Sequence, residues 1–222
     1  MASTVEAPQH TAKPRAQNSG ASDWLRQPTN RYMAIGVGVV AVVLIGWFVI
    51  MSGRRKESFG LQALDQARST AESGNLAQAA SELQKVITTY AGTKAAQEAV
   101  ITLNQVRLIN GQHELAVVGL QDFLKSGPAV EFLAPSQGLL GRALENAKRP
   151  AEAATAYLAA SAAADVDYLR ASYLLDAARS YVDAGDRENG AATYRRLIKE
   201  LGKTNSKTEA EIRLAELTQG QM

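Results

Sequence analysis

The stretch Ala71-Glu72-Ser73-Gly74-Asn75-Leu76-Ala77-Gln78-Ala79-Ala80 decides the fold, because the turn it carries at Gly74 returns three more times. The same position is filled by Gly74, Gly111, Lys148 and Gly185, each 37 residues beyond the last (111 − 74 = 37). A constant step of this size marks a solenoid. Each unit is too small to bury its own apolar face and must stack on its neighbours.

Positions counted from each turn keep their chemistry. Five residues on comes a small side chain: Ala79, Ala116, Ala153, Gly190. Nine on comes a large one: Leu83, Leu120, Tyr157, Tyr194. Twelve on comes another apolar residue: Val86, Phe123, Ala160, Leu197. Gaps of four and three put all of these on one helical face. Upstream of the turns lie partner positions Leu64 and Ala67, Val100 and Leu103, Leu140 and Gly141, then Leu174, Ala177 and Tyr181. Each unit is therefore predicted to be a helical hairpin. Gly-Asn at 74–75 and Gly-Asp at 185–186 suit the turns, since Gly accepts positive φ and Asn or Asp caps the next helix. Pro150 suits a first helical position. Pro128 and Pro135 are expected to bracket the junction between the second and third units. Ala210, Ile212, Leu214, Ala215 and Leu217 fit one further amphipathic helix that seals the last hairpin.

Leu140-Gly141, Ala153, Tyr157, Ala160, Tyr181 and Pro128 resemble the signature of the tetratricopeptide repeat. The resemblance implies an all-α solenoid of about four helical hairpins over residues 59–218, with a C-terminal capping helix and a short tail at 219–222. In that family the first helix of each hairpin lines the binding groove.

Ahead of the repeats, Tyr32 to Met51 is a run of 20 residues without a charge. At ~1.5 Å per helical residue it reaches ~30 Å, the thickness of a bilayer's hydrocarbon core. Tyr32 and Trp47 sit near its ends, where amphipathic rings favour the interface. The polar stretch before it is long for a signal peptide, and Met51-Ser52-Gly53-Arg54-Arg55-Lys56 holds no small-x-small cleavage site, so an uncleaved transmembrane helix at 32–51 is expected. Lys13, Arg15, Arg26 and Arg31 precede it; Arg54, Arg55, Lys56 and Arg68 follow it. Four against four leaves the orientation open on charge.

Composition divides the protein. Residues 1–31 mix Pro, Gln, Ser, Thr and Asn with almost no large apolar side chain and are expected to be a disordered polar tail. Residues 52–58 read as a basic juxtamembrane linker whose Arg54-Arg55-Lys56 meets lipid headgroups. Of 24 basic and 22 acidic side chains, 7 and 2 precede Glu57, leaving a mildly acidic repeat region of 17 − 20 = −3. No basic stripe is interleaved with aromatics, so nucleic acid is not an expected partner. Cysteine is absent, which excludes disulfides, thiol chemistry and a lipid-attachment cysteine.

Nothing in the sequence composes a reaction centre. His10 lies in the tail, and His113, beside Glu114, reads as a solvated helix-start residue; two isolated histidines make neither a metal site nor a catalytic pair. Gly36-Val37-Gly38 falls inside the apolar run and is no phosphate loop. Asp165-Val166-Asp167 reads as a helix-start acidic cluster. A non-enzyme without cofactor, metal or small-molecule substrate is expected.

Six residues before each turn come Arg68, Gln105, Arg142 and Arg179. On stacked first helices these would form a peptide groove whose arginine forks suit an acidic or C-terminal peptide. Glu72, Glu145 and Asp183, one turn further on, are the competing partners that would reduce the row to surface ion pairs.

A polar tail, one anchor and repeats to the C-terminal end, with the segment from Ala71 to Ala80, resemble the ancillary SecYEG translocon subunit (YfgM-like) family. That resemblance implies a single-pass protein of the bacterial inner membrane, with a cytoplasmic N-terminus and periplasmic repeats. Its implied partners are translocon subunits, chaperones or exported clients, and the lipid bilayer. Thr88-Thr89-Tyr90-Ala91-Gly92-Thr93-Lys94-Ala95-Ala96 resembles hairpin junctions of envelope proteins that assist outer-membrane assembly and cell division, which implies instead a general cell-envelope scaffold.

Overall fold

The computed structural model describes residues 28–218. The polar tail up to residue 27 and the tail at 219–222 lie outside the described residues. The helices are α1 (Pro28–Glu72), α2 (Leu76–Thr89), α3 (Lys94–Ile109), α4 (His113–Lys125), α5 (Val130–Asn146), α6 (Pro150–Ala163), α7 (Asp167–Asp183), α8 (Arg187–Glu200) and α9 (Ser206–Thr218). No strand occurs among the described residues. Contacts divide the protein into two compact units, one ending at Ser52 and one beginning at Gly53.

In the first unit the helix opens at Pro28, four residues before the apolar run and inside the tail expected to reach residue 31. Proline tolerates a helix's first turn because the N–H it lacks has no partner there. The run from Tyr32 to Met51 is helical, and its described side chains are exposed: Val37 is 65% exposed and Phe48 70%. It is long and apolar enough to cross a membrane.

Residues 52–58, expected as a basic juxtamembrane linker, are helical within α1, and the second unit begins among them at Gly53. Arg, Lys and Glu lose little side-chain freedom in a helix, and this stretch is also tied down. The Glu57 carboxylate accepts from the backbone N–H groups of Lys94 and Ala95, both at 2.9 Å, and so caps α3 from another helix. Lys56 Nζ donates to the Ala91 carbonyl at 2.7 Å.

From there the protein folds as hairpins: the end of α1 with α2, α3 with α4, α5 with α6, and α7 with α8, followed by α9. The second helices begin at 76, 113, 150 and 187, which keeps the step read in the sequence. The reason is a repeated helix stop. In each turn one residue takes positive φ: Gly74 (87°), Gly111 (75°), Lys148 (61°) and Gly185 (82°). The next N–H reaches back five residues: Asn75 to Thr70, Gln112 to Arg107, Arg149 to Leu144, Asp186 to Tyr181. This is the Schellman closure, which satisfies carbonyls that a helix end leaves bare. Lys148 adopts it despite its Cβ. Asn75 and Asp186 cap the helices they precede, accepting from Gln78 N and Asn189 N.

All residues read at offsets five, nine and twelve are buried. Those at offset nine join three successive clusters: Leu83 with Leu64 and Leu103 at the start, Leu120 and Tyr157 with Leu144 in the middle, and Tyr194 with Leu174 and Leu197 at the end. Each cluster draws on adjacent hairpins, so burial depends on stacking. Gly141 permits a close approach of α5 and α6: a Cβ there would lie 2.6 Å from Tyr157 Cε1.

Two expectations fail. Pro135 does not bracket the junction; α5 already begins at Val130, and Pro135 lies in its second turn. Only one backbone bond is lost there, and the flanking Ala134 and Ser136 are buried, so packing holds the helix. Ile212 does not seal the last hairpin; it is 54% exposed, while Ala210 and Leu214 are buried. Two residues from each of them, it is turned ~200° around α9.

Candidate functional site

The register six residues before each turn falls on the first helices of the hairpins. It places Arg68 on α1, Gln105 on α3, Arg142 on α5 and Arg179 on α7, with Gln105, Arg142 and Arg179 exposed and Arg68 half-buried. The acids expected one turn on are not their partners. Arg68 pairs with Glu98 of the next hairpin at 2.6 Å and with Asp65 at 3.8 Å, not with Glu72. Arg179 pairs with Asp176, one turn before it, not with Asp183. Arg142 has no ion pair among the described residues. The long arginine side chain leans towards the N-terminal end of its helix, which favours the acid behind over the acid ahead.

Glu145, expected beside Arg142, is committed elsewhere. Its Oε2 accepts from the Tyr157 hydroxyl and its Oε1 from the Ser180 hydroxyl, each at 2.8 Å. One carboxylate on α5 therefore joins α6 and α7. Ser180 is fully buried and Tyr157 nearly so, while Glu145 is half-buried, so these charge-assisted bonds are shielded from water on the donor side. Burial and the bond to Glu145 push the Tyr157 hydroxyl far above the ordinary phenol range. Burial likewise raises Asp176, against the opposing pull of Arg179.

Two cavities open along this face. One of about 380 Å³ is lined by Gln105, Leu108, Ile109, Leu139, Arg142 and Asn146. The other, of about 340 Å³, lies among α7, α8 and α9 and contains Arg179 and Tyr194. The gap between them, where the third hairpin meets the fourth, is the one occupied by Glu145, Tyr157 and Ser180. Sequence reading found the arginine register but missed this network. The period carried no signal for it: the positions equivalent to Glu145 and Ser180 one step on are Val182 and Leu217, and one step back Leu108 and Ala143.

No group of three or more His, Asp or Glu side chains able to hold a metal occurs among the described residues. His113 opens α4 as expected but is half-buried, not solvated, and its Nδ1 has no hydrogen-bond partner. Asp167 starts α7 and pairs with Arg170 at 3.1 Å.

A sequence profile of the tetratricopeptide repeat matches residues 172–202, most of the fourth hairpin. The fold is of the tetratricopeptide-repeat type. Among solved structures the protein is similar to a Podosopora anserina protein of nearly identical TPR-like repeats, assigned as a kinesin light chain. Identity is 20%, over 72% of this protein and 85% of that one, with a TM-score of 0.57. It is also similar to MamA from Desulfovibrio magneticus, at 19% identity over 62% and 72% of the two proteins, TM-score 0.50. Another MamA structure gives 16% identity over 74% and 87%, TM-score 0.53. At these identities the likeness speaks to the fold alone. No curated protein sequence matches this one. The tetratricopeptide architecture accounts for what the first-helix face offers: a row of side chains at repeat spacing, with cavities where neighbouring hairpins leave room.

Proposed function

We propose that this protein is a membrane-tethered protein-binding scaffold of the bacterial cell envelope, serving the secretory translocon, its chaperones or exported clients. The observation that carries the reading is the pairing of two surfaces in one polypeptide: an outward-facing apolar helix of membrane-spanning length, and repeats whose first-helix face stays open at two cavities. The apolar run serves as the anchor, with the N-terminus cytoplasmic and the repeats periplasmic, as the translocon-subunit resemblance implies. Arg54 and Arg55 remain available to anionic headgroups; Lys56 is spent on the Ala91 carbonyl. The expected ligand of the Arg68, Gln105, Arg142 and Arg179 register is an acidic or C-terminal peptide, and Arg142, without an ion pair among the described residues, is its strongest contributor. Tethering confines the scaffold to the membrane surface, so weak contacts suffice at the raised effective concentration.

The test is photo-crosslinking in intact cells from Ile109, which is 71% exposed in the cavity beside Arg142. Translocon subunits, chaperones or nascent chains are the expected partners. Cell-wall or outer-membrane proteins instead would replace the reading with a general envelope scaffold. An impermeant thiol reagent on Ser206→Cys is expected to label cells with only the outer membrane opened. Labelling that requires rupture of the inner membrane would overturn the periplasmic placement.

A further inference from the structure

The third and fourth hairpins can be superimposed by number, one step of 37 residues apart. Around Tyr157 stand Glu145, Ser180, Asp176 and Arg142. The equivalent positions around Tyr194 are Val182, Leu217, Arg213 and Arg179. All five of these residues line the cavity of about 340 Å³. The cavity is thus the place where the third hairpin keeps its carboxylate, emptied of it. Val182 removes the acceptor, Leu217 removes the second hydroxyl, and Arg213 reverses the charge of Asp176.

Tyr194 keeps its ring position and is only 2% exposed. Its hydroxyl has no hydrogen-bond partner among the described residues, although the equivalent hydroxyl of Tyr157 donates to Glu145. The ring is buried while the hydroxyl opens into the cavity, where water or a ligand is its partner. Counted over the equivalent positions, Glu145, Asp176 and Arg142 sum to −1, whereas Val182, Arg213 and Arg179 sum to +2. Both arginines act electrostatically on Tyr194, opposed by Glu209 and Asp183. A third, Arg187, enters the cavity, and its guanidinium donates to the Leu217 carbonyl at 2.8 Å without pairing with an acid among the described residues. Two acids share the cavity wall, Asp183 and Glu216. Glu216 sits on Arg213 at 3.2 Å, with Glu209 at 4.0 Å, and Asp176 sits on Arg179. The lining alone carries 3 − 2 = +1; Glu209 and Asp176, which pair with its arginines from outside it, bring the balance to 3 − 4 = −1, and Arg187 is the arginine left without an acid among the described residues.

We propose that this cavity, between the fourth hairpin and the capping helix, binds a carboxylate of a protein partner, which takes the place that Glu145 holds one repeat earlier. The carboxylate accepts from Tyr194 and is flanked by Arg179 and Arg213, while Val182 and Leu217 receive an adjoining apolar side chain. This rests on the protein-binding reading above and adds to it a location and the residues that hold the carboxylate. The carboxylate can come from a polypeptide's C-terminus or from an acidic side group; the chemistry is the same, and the test separates them.

The experiment titrates the full-length protein in detergent micelles and follows the arginine side-chain N–H resonances by NMR. The probes are N-acetyl-leucine, its neutral amide N-acetyl-leucinamide, and N-acetyl-glutamic acid α-amide. Saturable shifts of Arg179 and Arg213 with the first probe and none with the second are expected. A stronger response to the third assigns an acidic side group as the source. Val182→Glu supplies the carboxylate internally and should abolish binding. Tyr194→Phe should weaken it about 10- to 100-fold, the worth of one hydrogen bond to a charged group. Arg213→Asp, which copies Asp176, should abolish it too and serves if Val182→Glu does not fold. No saturable shift with either acid, or binding unchanged in Tyr194→Phe and Arg213→Asp, overturns the proposal. Partners captured from Ile109 while these probes fail would leave the scaffold standing and remove only this site.

Discussion

The third and fourth hairpins share a turn geometry, a spacing and a buried tyrosine, yet they solve the same packing problem in opposite ways. In the third, the gap along the first-helix face is closed by the protein itself: Glu145 accepts from Tyr157 and Ser180, both at 2.8 Å. In the fourth, Tyr194 looks into a cavity walled by Val182 and Leu217 and rimmed with arginine. The lesson concerns how a repeat fold acquires a site. Residues that fix the fold, such as Ala153 and Leu197, stay apolar from repeat to repeat. The positions beside the tyrosine bear less of the core and are free to change. Where they are polar and complementary they staple neighbours together; where they are not, the same pocket is left for something else.

The largest expected effect comes from breaking the closed gap. Glu145→Leu leaves the hydroxyls of the buried Tyr157 and Ser180 without their acceptor. Two charge-assisted bonds are lost and two buried donors orphaned, so a loss of about 3 kcal/mol is expected. Thermal or urea unfolding of the full-length protein measures it. A loss under about 1 kcal/mol would mean that water or a neighbouring acceptor replaces Glu145, and the contrast between the hairpins would collapse.

A smaller effect sharpens the comparison directly. Tyr157→Phe deletes one bond to a carboxylate and should cost about 1–2 kcal/mol. Tyr194→Phe deletes a hydroxyl that bonds to nothing among the described residues, and should change stability by no more than about 0.3 kcal/mol, since only the phenol's solvation is at stake. The two variants are chemically identical and sit at equivalent positions, so their difference isolates the acceptor. Equal losses would show that Tyr194 has a structural partner and that its cavity is not vacant for a ligand.

Much of the fold was legible because its determinants are local and periodic. Four turns at constant spacing, a small residue five further on and large ones at nine and twelve state a stacked hairpin almost completely. The turn at Lys148 shows how firmly the period binds: the backbone takes φ 61° there without glycine, because both flanking helices are already fixed by burial. What stayed hidden was non-local or directional. The arginine register was readable, but its partners were not, since Arg68 reaches Glu98 in the next hairpin and Glu145 turns away from Arg142 altogether. Ile212 failed for a simpler reason: membership of an apolar helix was read without asking which face each residue takes. The helical state of residues 52–58 depended on Glu57 finding the start of α3, a contact no pattern within that stretch could announce.

The smallest effect tests how the second helices of these two hairpins begin. Helix α8 is capped by Asp186, whose carboxylate accepts from Asn189 Nδ2 at 2.7 Å and from Asn189 N at 3.1 Å. Helix α6 has no side-chain cap; there Arg149 pairs with Glu152 at 2.7 Å and with Glu114 at 3.2 Å. Both starts hold a carboxyl below its ordinary range, Asp186 through its bonds to Asn189 and Glu152 through Arg149. A carboxyl whose pKa is depressed in the folded state adds stability above its unfolded pKa, roughly 4. That stability is lost as pH falls through the unfolded value towards the folded one. Asp186→Ala and Glu152→Gln should therefore each lower Tm at pH 7 and have almost no effect near pH 2. Salt separates them. An exposed ion pair is screened at 1 M NaCl, where the Debye length is about 3 Å, whereas a cap bond to a backbone N–H is short-ranged and survives. The Tm loss of Asp186→Ala should persist in 1 M NaCl and that of Glu152→Gln should vanish. If salt erases both losses, the fourth hairpin's start is held by charge and not by its cap, and the two hairpins begin alike.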